Sequence, residues 1–326
     1  MNPQTILRFR TLGLVTILFV YLVIMAGSVV RASGAGMGCP DWPMCFGQLI
    51  PPTDEAQLPA NYHEIYAERG YENTQFNPVK TWTEYGNRLL GMTLGIFALL
   101  TAIFSSSYYK TDKTVFFLSL GTLFLIGFQA WLGSVVVASN LHPFKITMHM
   151  VMALILVGLL IYTVARSQRD FLMQLDISAL PVIPIIKVTV KTALMIALGM
   201  TLLQIAMGTQ VREAVDGIAQ AQVAREFWRA DFPVLFYIHR SFSSIILFTN
   251  LLIAWTILKT IDKQSPLFKG AIALAAGVII AILAGISLDR LGMPAVAQPV
   301  HLLMANFIFG VQFFLYISLT YAGKTQ

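Results

Sequence analysis

The sequence predicts an all-α polytopic membrane protein, its eight transmembrane helices arranged as two tandem, pseudo-symmetric four-helix bundles. Three observations lead there. Of 326 residues, 56% are hydrophobic and only 12% charged, whereas soluble domains carry about 25% charged residues. Apolar runs of about 20 residues, long enough to span a hydrocarbon core as helix, recur eight times. The polar residues of the first half then return in the second at fixed spacing.

The apolar segments lie at roughly 11–33, 83–107, 114–138, 145–165, 187–211, 232–258, 268–289 and 298–321. In lipid each backbone must satisfy its own hydrogen bonds, which favours helices over open strands. The first segment is too long for a secretory signal and lacks a small-residue cleavage site, so it reads as a span. No Arg- and Ser-rich transit peptide precedes it, and the expectation is a bacterial inner membrane. With the N-terminus cytoplasmic, the inner loops collect twelve basic and four acidic residues, a balance of +8 to which Arg8, Lys110 and Lys324 contribute. The outer side keeps ten basic and twelve acidic residues, or −2. That split follows the positive-inside rule, so the net charge of +6 reflects topology and makes no case for nucleic acid.

The repeat divides the chain. Tyr85-Gly-Asn-Arg88 matches Tyr237-Ile-His-Arg240 at an offset of 152, and the same offset takes Gly133 to Gly285 and His149 to His301. Gly27-Ser-Val-Val-Arg31 matches Gly208-Thr-Gln-Val-Arg212 at an offset of 181, the difference being a longer first outer loop. The reading is an N-terminal bundle over 1–165 with an outer loop at about 34–82, a cytoplasmic linker at 166–186, and a C-terminal bundle over 187–326. Alternating spans put every repeated polar residue near the outer face, which makes two pseudo-equivalent sites.

An ionisable residue inside an apolar helix is a functional candidate by default. His239 and His301, at matching depth in one bundle, form a pair suited to bis-histidine haem ligation. Zinc would ask for four compact ligands, and no further Cys, Asp or Glu stands at helical spacing here. The alternative for each histidine is a hydrogen bond to a neighbouring helix. Arg31, Arg88, Arg212 and Arg240 sit at the same level, where guanidinium suits haem propionates; interfacial snorkelling is the simpler account of any one of them. Gly133 and Gly285 either admit a flat macrocycle or pack helices. Where the second bundle has Phe236 and His239, the first has Glu84 and Asn87, which share a helix face. His149 with a carboxylate and a weak amide makes the first bundle the expected place of reaction, although Glu84 also stands at ion-pair spacing from Arg88. Cys39 and Cys45, both in the outer loop, read either as a disulfide or as a redox-active thiol pair.

These residues resemble the haem A synthase family over essentially the whole chain. The most specific part is the loop from Arg31 through Gly-Cys39-Pro-Asp-Trp-Pro-Met-Cys45, followed by Glu84-Tyr-x-x-Arg88 and by His149, His239 and His301. The resemblance implies an oxidoreductase that converts the C8 methyl group of haem O to a formyl group, giving haem A for cytochrome oxidase. It implies haem b on His239 and His301, the substrate haem on His149, and a Glu84 needed for activity. It further implies haem O synthase and oxidase assembly factors as partners, with an electron acceptor or donor that the sequence does not name. The family's usual histidine is replaced here by Asn87, so the substrate iron is expected to be five-coordinate, or else completed by His142 or His63. Two other readings stand beside it: a di-haem cytochrome b-type electron carrier, which would use the same histidines and arginines, and a repeat transporter, which would break its helices at the midplane, whereas the polar residues here cluster at one face. Asn87→His should shift the substrate-haem absorption spectrum toward six-coordinate low spin; an unchanged spectrum would remove Asn87 from the iron.

Overall fold

The computed structural model describes residues 3–183, 187–221, 227–228 and 231–323. Lys324, counted in the inward charge balance, lies outside the described residues. Eight long helices dominate: α1 Pro3–Ala32, α2 Pro78–Ser105, α3 Lys113–Ala138, α4 Pro143–Ser167, α5 Val190–Gln220, α6 Val234–Thr260, α7 Pro266–Arg290 and α8 Ala297–Ala322. All eight are long and apolar enough to cross a bilayer, and the chain is an all-α, multi-pass membrane protein.

Local chemistry explains the ends. Proline opens α2 and α7, where a missing N–H costs nothing and φ is already set. The Asn77 and Ser265 side chains accept from the Lys80 and Leu267 amides to cap these helices. The cap at Asn77 starts α2 five residues earlier than hydropathy alone places it, because Lys80 interrupts the apolar run without interrupting the helix. α1 likewise begins before Arg8, and α5 runs on to Gln220, two turns beyond Arg212. The linker is partly structured, with a helical turn at Arg169–Met173 and an antiparallel pair between β1 (Val182–Ile183) and β2 (Val188–Thr189).

The chain divides into two compact units, Met1–Val164 and Ala165–Gln326. In the second, α5 packs on α6, α6 on α7, α7 on α8 and α8 back on α5, a closed four-helix ring. Its apolar core gathers Leu194, Ile253, Ile257, Leu267, Leu274 and Leu315, all toward the end away from His239 and His301. α6 buries no side chain before Ile246, so the stretch that carries His239 is left out of the core. Polar ties fix the helices where lipid supplies no hydrophobic drive between them. Gln312 Nε2 donates to Asn250 Oδ1 at 2.7 Å in the second unit. Thr16 and Thr101 hydroxyls meet at 3.0 Å between α1 and α2 of the first.

The loop at 33–77 folds into a domed cap on the first unit. Phe46 stands edge-on to Tyr66, Tyr71 and Phe76 with centroids 5.2–5.6 Å away, and with Tyr62, Leu58 and the two cysteines it makes a small separate core. The cap is seated on α2 through Thr81 Oγ1 donating to Gly38 O at 2.8 Å and Tyr85 Oη donating to Leu49 O at 2.9 Å. Gly38 is needed there: a Cβ would fall 2.5 Å from the Lys80 carbonyl oxygen, a backbone atom that cannot step aside. Gly38→Ala should therefore lift the cap from α2 and cost about 1–3 kcal/mol, read as a lower melting temperature and faster proteolysis within 33–77.

Candidate haem sites

The three histidines of the spans, and Asn87, each sit opposite a glycine on the preceding long helix. A Cβ built on Gly285 of α7 would lie 3.2 Å from the His301 ring, one on Gly208 of α5 would lie 3.2 Å from His239, and one on Gly133 of α3 would lie 3.3 Å from His149. At the fourth position Gly27 of α1 faces Asn87, with its amide oxygen 3.9 Å away. The glycines thus make room for the imidazoles themselves, which is a more specific use than either admitting a macrocycle or packing helices. The match of Gly27–Asn87 to Gly208–His239 puts Asn87 at the place of a ring.

In the second unit the His239 and His301 rings lie side by side, with centroids 6.4 Å apart and planes inclined edge-on by 71°. Metal–imidazole bonds of about 2 Å, with each ring centre about 1 Å behind its nitrogen, put two axial rings about 6 Å apart across a single metal atom. His301 Nδ1 is 2.9 Å from the Ala281 carbonyl oxygen; donating there leaves Nε2 with its lone pair for a metal. The residues present therefore fit a bis-imidazole haem. Among the described residues no group of three or more His, Cys, Asp or Glu comes together as a metal-binding cluster.

Two residues that sequence comparison passes over hold these histidines. Gln129 Nε2 donates to the His149 carbonyl at 2.9 Å, and Gln204 Nε2 donates to that of His239 at 3.0 Å. Each glutamine lies one turn before the glycine that faces its histidine. The Gln-x-x-x-Gly spacing at 129–133 and 204–208 was the available signal. It was hidden because Gln129 sits on the third helix of its bundle and Gln204 on the first of its own, so neither has a repeat partner. The carbonyl oxygens of both glutamines, Asn87 Oδ1, and Nδ1 of His149 and His239 are buried without a hydrogen-bond partner, which leaves polar capacity around these positions unused.

The first unit differs at the carboxylate. Glu84, 3% exposed, accepts from the Cys39 amide at 2.9 Å through Oε2 and pairs with Arg88 through Oε1. Arg88 gives its remaining terminal N–H groups to the Asp41, Met44 and Cys39 carbonyls at 2.7, 2.9 and 3.0 Å. Arg88 was expected at a haem propionate; the structure gives both its terminal nitrogens to the cap, because the loop folds back over the first turns of α2. Cys39 and Cys45 are joined as a disulfide, so the Glu84–Arg88 pair grips the covalently closed part of the loop. Asp41 completes that turn by accepting from the Phe46 and Gly47 amides. Burial pushes the Tyr71 phenol above its ordinary range, and the Glu84 carboxylate pushes the same way. His63 is turned into the cap, with Nδ1 2.7 Å from the Tyr71 carbonyl, while His142 is exposed at the start of α4.

Arg212 and Arg240 stand beside carboxylates. Arg212 pairs with Asp216 at 2.8 Å and donates to Gln298 Oε1 at 2.6 Å, tying α5 to α8. Arg240 lies 3.4 Å from Asp289 of α7. Arg31 ends α1 half-buried.

Residues 10–313 match the family described as cytochrome oxidase assembly protein (COX15-CtaA). The chain belongs to that family. It is 30% identical over 171 residues to heme A synthase of Shewanella oneidensis, a match covering 52% of this chain and 49% of that protein. With heme A synthase of Geobacillus thermodenitrificans the identity is 24% over 163 residues, 50% and 43% of the two chains. With that of Shouchella clausii it is 32% over 126 residues, 38% and 34%. These matches span about half or less of the curated relatives' length, while the family match runs through both helical units. The resemblance read from the Cys-Pro-Asp-Trp-Pro loop and the histidines is thus met at the level of the family.

Both cysteines are fully buried under the aromatic cap, so the disulfide should resist mild reductant. Thiol labelling after dithiothreitol treatment is expected only once the protein is denatured; labelling of the native protein would show that the cap opens.

Proposed function

We propose that this chain is a haem A synthase, oxidising the C8 methyl group of haem O to a formyl group. The observation that carries the reading is the inequality of the two bundles. One brings two imidazoles together with ring centroids 6.4 Å apart, and the other holds a single imidazole, His149, with an amide in the second ring's place. The family to which the chain belongs and the names of its relatives point the same way.

In this reading His239 and His301 hold haem b, with Arg212 and Arg240 on its propionate side, and His149 takes the iron of haem O. A bound haem supplies the redox chemistry, and the protein supplies position. Gln129 and Gly133 set the His149 ring, and Asn87 leaves the opposite face of the iron weakly occupied. Glu84 is held through Cys39 and Arg88 one turn nearer the cap, where it is placed to accept a proton as hydrogen leaves the substrate methyl. Turning a methyl into a formyl group removes hydrogen and adds oxygen, so an electron acceptor and an oxygen source lie outside this chain. The charge asymmetry of the loops supports an inner-membrane protein with both termini cytoplasmic and both haem sites near the outer face. There it would receive haem O from its synthase and pass haem A to oxidase assembly factors.

Co-expression with a haem O synthase, followed by pyridine haemochrome analysis, tests the function. Haem A should accumulate, Glu84→Gln should lower it at least about tenfold while haem b remains, and His301→Ala should remove the haem b signal. Bound haem b with no haem A under any of these conditions would instead leave an electron carrier.

A further inference from the structure

The loop end of the first unit carries a pocket of about 350 Å³ that none of the residues assigned so far explains. Its walls come from each segment closing that end: Gly34 after α1, Lys80 in the first turn of α2, Arg69, Tyr71 and Thr74 from the cap, and Asn140 from the α3–α4 turn. Two lining residues are cations and none is a carboxylate. The wall is held in place. Arg69 donates one terminal nitrogen to the Ala138 carbonyl, and Asn140 Nδ2 donates to Glu68 O at 3.0 Å, so the cap and the α3–α4 turn are tied together.

The pocket lies directly above the amide that stands in a ligand position. Lys80 precedes Asn87 by seven residues, which places it on the same face of α2, about 10 Å nearer the cap. The neighbouring helix shows the same register. Asn87 faces Gly27, and Lys80 Nζ lies 4.0 Å from where a Cβ on Gly34 would be, seven residues beyond Gly27. The offset in depth is comparable with the reach from a haem iron to its propionate oxygens. Arg88, the cation nearest Asn87 in sequence, is already occupied by Glu84 and three loop carbonyls.

We propose that this pocket binds the propionates of the porphyrin received by the first bundle, with Lys80 and Arg69 as charge partners and Thr74 and Asn140 as neutral donors. Lysine serves as a point charge and the arginine fork adds direction. The pocket thereby orients the macrocycle, choosing which ring edge points into the bundle and which faces the cap. The inference rests on the reading that His149 takes a haem iron.

The test is haemin titration of the full-length protein in zwitterionic nanodiscs, followed by Soret absorption, with His149→Ala marking the component that belongs to the first bundle. Lys80→Gln and Arg69→Gln should each weaken that component about three- to tenfold, and Lys80→Arg should largely restore it. Haemin dimethyl ester, which lacks the carboxylate charges, should bind wild type more weakly than haemin does and be indifferent to either substitution. Lys80 is exposed, so Lys80→Gln keeps the fold, whereas Arg69→Gln also gives up the bond to the Ala138 carbonyl and counts only if its melting temperature matches wild type. A His149-dependent component that ignores Lys80 and Arg69, or an ester as sensitive to them as haemin, overturns the proposal alone. Affinity that follows anionic lipid content instead of esterification assigns the pocket to lipid phosphates and overturns it too. Loss of any His149-dependent component removes the haem reading of the first bundle and this inference with it.

Discussion

A polar side chain placed inside a lipid-spanning helix costs several kcal/mol unless something meets it, and that constraint organises both halves of this protein. The imidazoles of His149, His239 and His301 need space as well as partners. Glycine on the facing helix supplies the space, since any larger residue would put a carbon 3.2–3.3 Å from the ring. The His301 ring is met by the Ala281 carbonyl, while the glutamine amides one turn from the other two glycines brace the backbone carbonyls of His149 and His239. The apolar core of the second bundle gathers toward the opposite end, where Leu194, Leu274 and Leu315 pack together.

The carboxylate of the first bundle is met differently. Glu84 is held by a main-chain amide and by Arg88, and both groups also grip the loop closed by Cys39–Cys45. The cap is therefore mechanically part of the site, since its position decides the position of Glu84. That coupling explains why so much aromatic packing, centred on Phe46, is concentrated in a loop outside the spans. It also moves the search for propionate partners away from Arg88 and toward the cations at the rim of the cap.

On the proposed reading, one scaffold serves two purposes by exchanging a few side chains. The glycine-facing positions are kept in all four helix pairs, so the scaffold itself is common to both. His239 against Asn87, and Phe236 against Glu84, are the exchanges by which the proposed two-ligand arrangement would become an open one beside a carboxylate. Nothing in the helix lengths or pairings needs to differ for this.

Eight spans, their order, the tandem repeat and the identity of the histidines were legible in the chain itself, because hydropathy and a gapless 152-residue offset are local, one-dimensional signals. The helix ends were legible less well, since caps such as Asn77 follow hydrogen bonding and not hydropathy. Only the tertiary structure decided that the repeated glycines face the rings, that Gln129 and Gln204 brace the histidine-bearing helices, and that Arg88 belongs to the cap. These depend on which atoms from distant segments come within hydrogen-bonding or van der Waals reach. Spacing within a single helix carries no information about that.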